Sequence, residues 1–163
     1  MDISFEKMQS RHQKPVMEIF NHYVVHSLSA YPEHVLPLSF YEKFLESTKG
    51  FPAYVMKAEG RVVGFCFLKA YNPHSTFKAC AEITYFIDKD FVGKGLGRLA
   101  LAKIEAEARL QGIDIILANI SSENRESLAF HTKNGFVECG RFKKIAIKNG
   151  IPFDIVWMQK DLT

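Results

Sequence analysis

The sequence lacks the features that mark several classes of protein. No stretch carries five like charges in a row and the net charge is only +3, so the composition does not indicate binding to nucleic acid. No apolar run approaches the length of a membrane span, and the first residues lack the apolar segment of a signal peptide. We therefore expect a soluble, cytoplasmic protein that binds neither nucleic acid nor a membrane.

Cysteine is scarce as well. Cys66, Cys80 and Cys139 are odd in number, widely separated and set among apolar neighbours, and no metal-ligand spacing involves them. These features favour reduced, buried thiols in a chain without a structural metal. Repeats, linkers and low-complexity tracts are also absent, so we predict one domain over residues 1–163.

Apolar and aromatic residues are plentiful. Hydrophobic residues make up 47% of the chain, and 14 Phe and six Tyr favour an aromatic core. Ser39 to Glu42 has the pattern of a capping box and predicts a helix start. Periodicity predicts helices at 13–25, 39–47, 97–111 and 124–133, and strands at 3–8, 52–57, 62–71, 81–87, 113–119, 136–147 and 153–159. This order indicates an α/β or α+β fold with helices flanking one mixed sheet.

A glycine-rich segment links the strand at 81–87 to the helix that follows it. The segment reads Gly93-Lys94-Gly95-Leu96-Gly97-Arg98, and its glycines allow a ligand to lie against the main chain. The first turn of the next helix offers unpaired N–H groups and the positive end of a dipole, which together favour an anion such as phosphate. An ordinary tight turn is the alternative, and the G-x-G-x-G spacing argues against a dinucleotide fold.

Glu82 is a carboxylate in a strand otherwise built of apolar and aromatic residues. Strand alternation places it on the same face as Thr84 and Phe86. Burial would raise its pKa toward the range of a general base, whereas a strand edge with a salt-bridge partner is the ordinary alternative.

The helix predicted at 124–133 carries a polar stripe. Asn124, Ser127 and His131 fall on one side of a helical wheel, and the charged residues fall on the other. We therefore expect the three polar side chains to point inward and to meet a ligand or the backbone, because an unpartnered buried polar group is costly. A satisfied core histidine is the alternative for His131, and Gly135 is expected to end the helix.

These motifs resemble the GCN5-related N-acetyltransferases (GNAT), over nearly the whole chain. Within that superfamily the sequence is most similar to the phosphinothricin and methionine sulfoximine acetyltransferases. The segments that carry this similarity are Ile19-Phe20-Asn21-His22-Tyr23, Ala81-Glu82-Ile83-Thr84-Tyr85, Ser127-Leu128-Ala129-Phe130-His131 with Gly135-Phe136, and Asn149-Gly150 with Asp154 to Trp157.

The resemblance implies a mostly antiparallel sheet that opens between its fourth and fifth strands to admit the pantetheine arm of acetyl-CoA. Val92 departs from the superfamily pattern, because the loop usually begins there with Gln or Arg. The implied cofactor contacts are main-chain groups of Tyr85, Phe86 and Ile87 and the side chains of Asn124 and Ser127 on the arm, and Gly93, Lys94, Gly95, Leu96, Gly97 and Arg98 on the diphosphate.

The resemblance also implies a reaction and a substrate. Glu82 would remove a proton from the amine, and His131 would protonate the departing thiolate or orient the substrate. The acceptor would be a small-molecule amine, such as an amino acid, phosphinothricin or methionine sulfoximine, with Tyr31 and Phe77 as walls and Lys78 where relatives tend to have Arg. A protein or peptide acetyltransferase and a non-catalytic acyl-CoA sensor are the alternatives, and a homodimer is possible.

Overall fold

The computed structural model describes all 163 residues, which form one seven-stranded sheet in the order β1-β2-β3-β4-β5-β7-β6. The strands are β1 (Ile3–Lys7), β2 (Ala53–Ala58), β3 (Arg61–Ala70), β4 (Cys80–Ile87), β5 (Ile115–Ser121), β6 (Val137–Lys148) and β7 (Ile151–Asp161). The helices are α1 (Gln13–His26), α2 (Tyr41–Ser47), α3 (Leu96–Leu110) and α4 (Arg125–Lys133). All neighbouring strands are antiparallel except β4 and β5, so the predicted mixed, mostly antiparallel sheet is confirmed.

Two hydrophobic clusters cover the two faces of the sheet. The larger contains 21 buried residues and packs α3 against the sheet, whereas the smaller contains 11 and lies beneath α1 and α2. Aromatic rings pack against one another in the smaller cluster: Phe20 meets Phe86 edge to face at 5.3 Å, and Phe44 lies 5.4 Å from Phe67. The larger cluster also contains aromatic residues, among them Phe136, so the aromatic core expected from composition extends over both faces of the sheet.

The start of α2 differs from the prediction. Residues Leu38–Phe40 form a 3-10 turn, and α2 begins at Tyr41 without a side-chain cap. The predicted capping box at Ser39 is wrong, because the chain already turns there: the Phe40 N–H donates to the Pro37 carbonyl at 3.0 Å. The Tyr41 hydroxyl instead anchors this end of the helix by donating to the Gln9 carbonyl at 2.8 Å.

The β6–β7 hairpin turns at Asn149-Gly150, both with positive φ, as two-residue hairpins favour. Lys148, at the end of β6, is 2% exposed, and its ammonium donates to the carbonyls of Val24 at 2.7 Å, Ser27 at 2.8 Å and Ala30 at 2.5 Å. One buried cation therefore joins the hairpin to the end of α1 and to the segment that follows it.

The cysteines are all free but are not equally buried. Cys66 is buried, Cys80 is half-buried and Cys139 is exposed, so the expectation of three buried thiols is wrong for Cys139. The reason is its position on β6, an edge strand paired only with β7. Separately, none of the helices combines the length and the apolar character needed to cross a membrane.

Candidate active site

Strands β4 and β5 pair over only a short stretch and then separate. Their parallel register joins Cys80–Glu82 to Ile115–Leu117, and the later halves of both strands have no partner on that side. A cavity of about 430 Å³ opens there. It is lined by β3, β4 and β5, by the segment after α1, by aromatic side chains of α1 and α2, and by α4.

Hydrogen-bond phase decides which main-chain groups of β4 face the opening. The Asp88 N–H donates to the Val63 carbonyl at 2.8 Å, and the β3–β4 register continues without a bulge. Because bonded pairs alternate along antiparallel strands, Phe86 bonds to β3, whereas Tyr85 and Ile87 direct their N–H groups toward the opening. The expectation that the main chain of Phe86 is free for a ligand is therefore wrong.

The glycine-rich loop leaves amides free at the start of α3. Gly93 and Gly95 have φ of +78° and +83°, which only glycine adopts without strain. The first helical bond of α3 runs from the Leu99 N–H to the Gly95 carbonyl at 3.2 Å. The N–H groups of Leu96, Gly97 and Arg98 precede that bond and lack intrahelical acceptors.

Two exposed cations accompany these amides. Lys94 and Arg98 form no ion pair, and the Lys94 ammonium lies 5.2 Å from the centroid of the Phe91 ring. Val92 is 50% exposed and adds no polar group. Free amides, a helix N-terminus and two unpaired cations suit a diphosphate without the usual Gln or Arg.

Glu82 projects into the cavity from the paired end of β4. It is half-buried and forms no hydrogen bond or ion pair within the protein. Burial raises the pKa of its carboxyl, and the positive charge of Lys69 opposes that rise. A carboxylate with a raised pKa and no partner is suited to accept a proton from a bound ligand.

His131 borders the cavity but is almost fully enclosed. It is 3% exposed, its Nδ1 lies 2.7 Å from the Ser127 carbonyl, and its Nε2 lies 2.5 Å from the Tyr85 hydroxyl. A carbonyl can only accept, so Nδ1 carries the proton of the neutral ring and Nε2 accepts from Tyr85. Burial lowers the pKa of His131 and raises that of Tyr85, which keeps both groups neutral.

The Tyr85 hydroxyl was missed as a candidate by sequence reasoning. Side chains alternate along β4, so Tyr85 lies on the face of the sheet opposite to Glu82, with α4. That alternation was visible in the sequence, but its meeting with His131 depends on how α4 packs. Both faces reach the same cavity only because the strands separate.

The polar stripe of α4 follows its structural prediction. The Asn124 side chain caps the helix by accepting from the Ser127 N–H at 3.2 Å, and both residues line the cavity with His131. Gly135 has φ of +92°, and the Phe136 N–H donates to the His131 carbonyl at 2.9 Å, which ends the helix in a Schellman motif.

The candidate substrate residues lie apart from one another. Tyr31 lines the cavity, and its hydroxyl donates to Asn119 Oδ1 at 2.6 Å. Phe77 packs at 5.8 Å on Tyr71, in a 3-10 turn before β4, and neither Phe77 nor the exposed Lys78 lines the cavity. Phe77 and Lys78 therefore stay predictions as substrate residues, because they lie outside this cavity. The basic side chain that does line it is Lys69, on β3.

Comparison with known proteins identifies the family. Residues 16–136 match the model of the acetyltransferase (GNAT) family. The chain belongs to the GNAT family. It is accordingly an acetyl-CoA-dependent N-acetyltransferase, as the resemblance predicted.

Individual relatives of this GNAT chain point to the predicted branch. It is 28% identical to the L-methionine sulfoximine/L-methionine sulfone acetyltransferase of Salmonella typhimurium, covering 90% of this chain and 87% of that protein. It is 32% identical to the phosphinothricin N-acetyltransferase of Alcaligenes faecalis, over 69% of this chain and 58% of that one. The ribosomal-protein-alanine N-acetyltransferase of Brucella melitensis superposes with a TM-score of 0.90 at 29% identity, covering 97% and 99% of the two chains.

Proposed function

We propose that this GNAT enzyme acetylates the primary amine of a small amino acid or amino acid analogue. The observation that carries the proposal is Glu82, a half-buried carboxylate without a protein partner in the cavity beside the separated strands. The names of the Salmonella and Alcaligenes relatives support the substrate class. The cavity, at about 430 Å³, is of a size that suits a small ligand.

We propose that acetyl-CoA is held at the opening and the glycine-rich loop. The Leu96, Gly97 and Arg98 amides, with Lys94 and the Arg98 side chain, would bind the diphosphate. The Tyr85 and Ile87 N–H groups would bind the pantetheine arm as an additional strand would, and Asn124 and Ser127 would contact it from α4. When bound, acetyl-CoA supplies a thioester with an electrophilic carbonyl carbon.

Glu82 would then act as the base. An aliphatic amine has a pKa of about 10, as the side chain of Lys does, so it is almost wholly protonated at neutral pH. It must lose a proton before its nitrogen can attack the thioester. The carboxylate of Glu82 would take that proton, and the N–H of Tyr85 or Ile87 could stabilise the carbonyl oxygen as it gains charge. The carbon–sulfur bond would then break as the carbon–nitrogen bond is completed, and CoA would leave as the thiolate.

We infer a role for His131 that differs from the two expected, protonating the thiolate and orienting the substrate. Because both ring nitrogens are engaged, His131 acts through the Tyr85 hydroxyl, which it holds toward the cavity. We assign Tyr85 as the group facing the sulfur and His131 as its positioning residue.

A thiol-release assay with acetyl-CoA and a panel of amines tests the function. We expect release with small amino acids or their sulfone, sulfoximine or phosphinate analogues. Release only with peptides would favour the alternative that the name of the Brucella enzyme suggests. Heat of acetyl-CoA binding in calorimetry without release for any amine would favour a sensor.

We also propose that residues 1–163 form one catalytic domain that works in the cytoplasm and pairs as a homodimer through β6. The three free thiols suit a reducing compartment.

Exposed apolar side chains on the β6 edge support pairing, with Ile147 69% and Ile145 62% exposed. Light scattering on the wild type and on Ile147→Lys tests this, and a monomeric wild type would contradict it.

A further inference from the structure

The cavity contains one positively charged side chain. Of its lining residues, Lys69 and Glu82 carry full charges, and His131 is held neutral. Lys69 is half-buried on β3 and forms no ion pair or hydrogen bond within the protein, not even with Glu82. Its ammonium is therefore free to bind an anionic group of a ligand in the cavity.

The register places Lys69 beside the proposed base. Lys69 and Glu82 are direct partners across β3 and β4, in the bonded phase fixed by the Asp88–Val63 bond. The Cα atoms of such partners are roughly 5.5 Å apart, and their side chains emerge on the same face. A cation and an anion therefore stand side by side at one end of the cavity.

This pair matches the charges of an α-amino acid. In a zwitterion the ammonium and the carboxylate are separated by a single carbon, so one charge can meet Glu82 while the other meets Lys69. The wall next to Lys69 is aromatic, with Phe44 and Phe67 lining the cavity on that side of the sheet. Such a wall suits an uncharged substrate side chain.

We propose that Lys69 binds the carboxylate of the acceptor and so restricts the enzyme to α-amino acids with uncharged side chains. This inference rests on the proposed function, and it names a residue of β3 in place of Lys78. Lys69 is a specificity-determining residue, because it contacts the acceptor away from the atoms that react.

The test compares amino acids with their carboxamides, which keep the amine and lose the negative charge. The probes are L-methionine sulfone and its carboxamide, followed by a panel of L-amino acids and their amides. For the wild type we expect kcat/KM for the acid to exceed that for the amide by about 10- to 100-fold, the range of a charge-assisted hydrogen bond. Lys69→Met should lose that preference mainly through KM, Lys69→Arg should keep most of it, and KM for acetyl-CoA should not change.

Lys14→Met is the matched control. Lys14 is exposed in the first turn of α1, so this substitution removes one positive charge at a site away from the cavity. It should keep the wild-type preference. A wild type that acetylates acids and amides equally, or only amines without a carboxylate, overturns the inference without any variant. A preference that survives Lys69→Met also overturns it and leaves the acetyltransferase function standing, whereas absence of release with every amine contradicts the proposed function itself.

Discussion

At the scale of single residues, the chemistry depends on which groups lack a partner. Glu82 has none in the protein, whereas both nitrogens of His131 are engaged. Glu82 is therefore available to exchange a proton with a ligand, and His131 is not. Two side chains that attract equal interest in the sequence thus have different assignments, one as a base and the other as a support for Tyr85.

Glu82 should impose an acid limb on the pH profile of kcat/KM. Burial raises its pKa and only the carboxylate is a base, so activity should fall as the pH drops through that raised value. Removing the opposing charge in Lys69→Met should move the limb to higher pH. Glu82→Gln should lower kcat/KM by about 100-fold or more and abolish the limb.

Thermal melting separates this effect from misfolding. A carboxyl whose folded pKa is raised reduces stability above that pKa, so Glu82→Gln should not lower Tm near neutral pH. An unchanged pH profile in Glu82→Gln would exclude the residue as the base.

Tyr85 and His131 should behave as one unit. Tyr85→Phe and His131→Ala should each reduce kcat, and the double variant should be little worse than the poorer single one, because His131 acts through the hydroxyl. Steady-state kinetics of the four proteins form the cycle. Additive losses would show that the two side chains act separately.

At the scale of elements, one buried ammonium donates hydrogen bonds to three carbonyls that would otherwise have no donor. Lys148 on β6 bonds to Val24, Ser27 and Ala30, at the end of α1 and in the segment that leads to Tyr31. The hairpin thereby fixes a wall of the cavity although it contributes no side chain from this position to it. The stability of the fold and the shape of the acceptor site are linked through this contact.

Lys148→Met should therefore destabilise the protein by about 2–4 kcal/mol, since it leaves these carbonyls without a donor. Urea unfolding measures the loss, and Lys143→Met, an exposed lysine on the same strand, is the control. KM for the acceptor should also rise, because Tyr31 loses its support. A variant as stable as the control would show that the ammonium contributes no net stability.

At the scale of the whole molecule, the two halves of the sheet are joined by a short contact. Three register pairs connect β4 to β5, and the rest of that boundary is the opening. A ligand that bonds along β4 and rests on α3 and α4 bridges the two halves. Binding of such a ligand should therefore raise the free energy of unfolding of the whole protein.

Acetyl-CoA at 100 times its Kd should stabilise the fold by about 2.7 kcal/mol and raise Tm by roughly 5–10 °C. Acetyl-pantetheine at the same concentration lacks the diphosphate and should raise Tm much less. Gly95→Ala, which forces a side chain into φ of +83°, should diminish the effect of acetyl-CoA. Equal shifts for the two ligands would show that the loop does not bind the diphosphate.

Much of this was determined by the sequence alone. The order of elements follows from periodicity, the loop from three glycines, and the end of α4 from Gly135, because each is a local property of the backbone. Strand alternation assigns Glu82 to the face of Thr84 and Phe86, but it does not decide whether the carboxyl is buried or paired. Motif similarity identified the family for the same reason, since the motifs are contiguous.

Only the tertiary structure decided which distant groups meet. Lys69, and not Lys78, lines the cavity, because the pairing of β3 with β4 places Lys69 opposite Glu82. No local sequence pattern encodes that register. The main chain of Phe86 is not available to a ligand, because the alternation of bonded pairs directs its N–H and carbonyl toward β3. His131 is enclosed because the side chain of Tyr85 packs against α4. Local steric preferences specify helices, strands and turns, but the partners of a charge or an amide are fixed by packing between segments far apart in the chain.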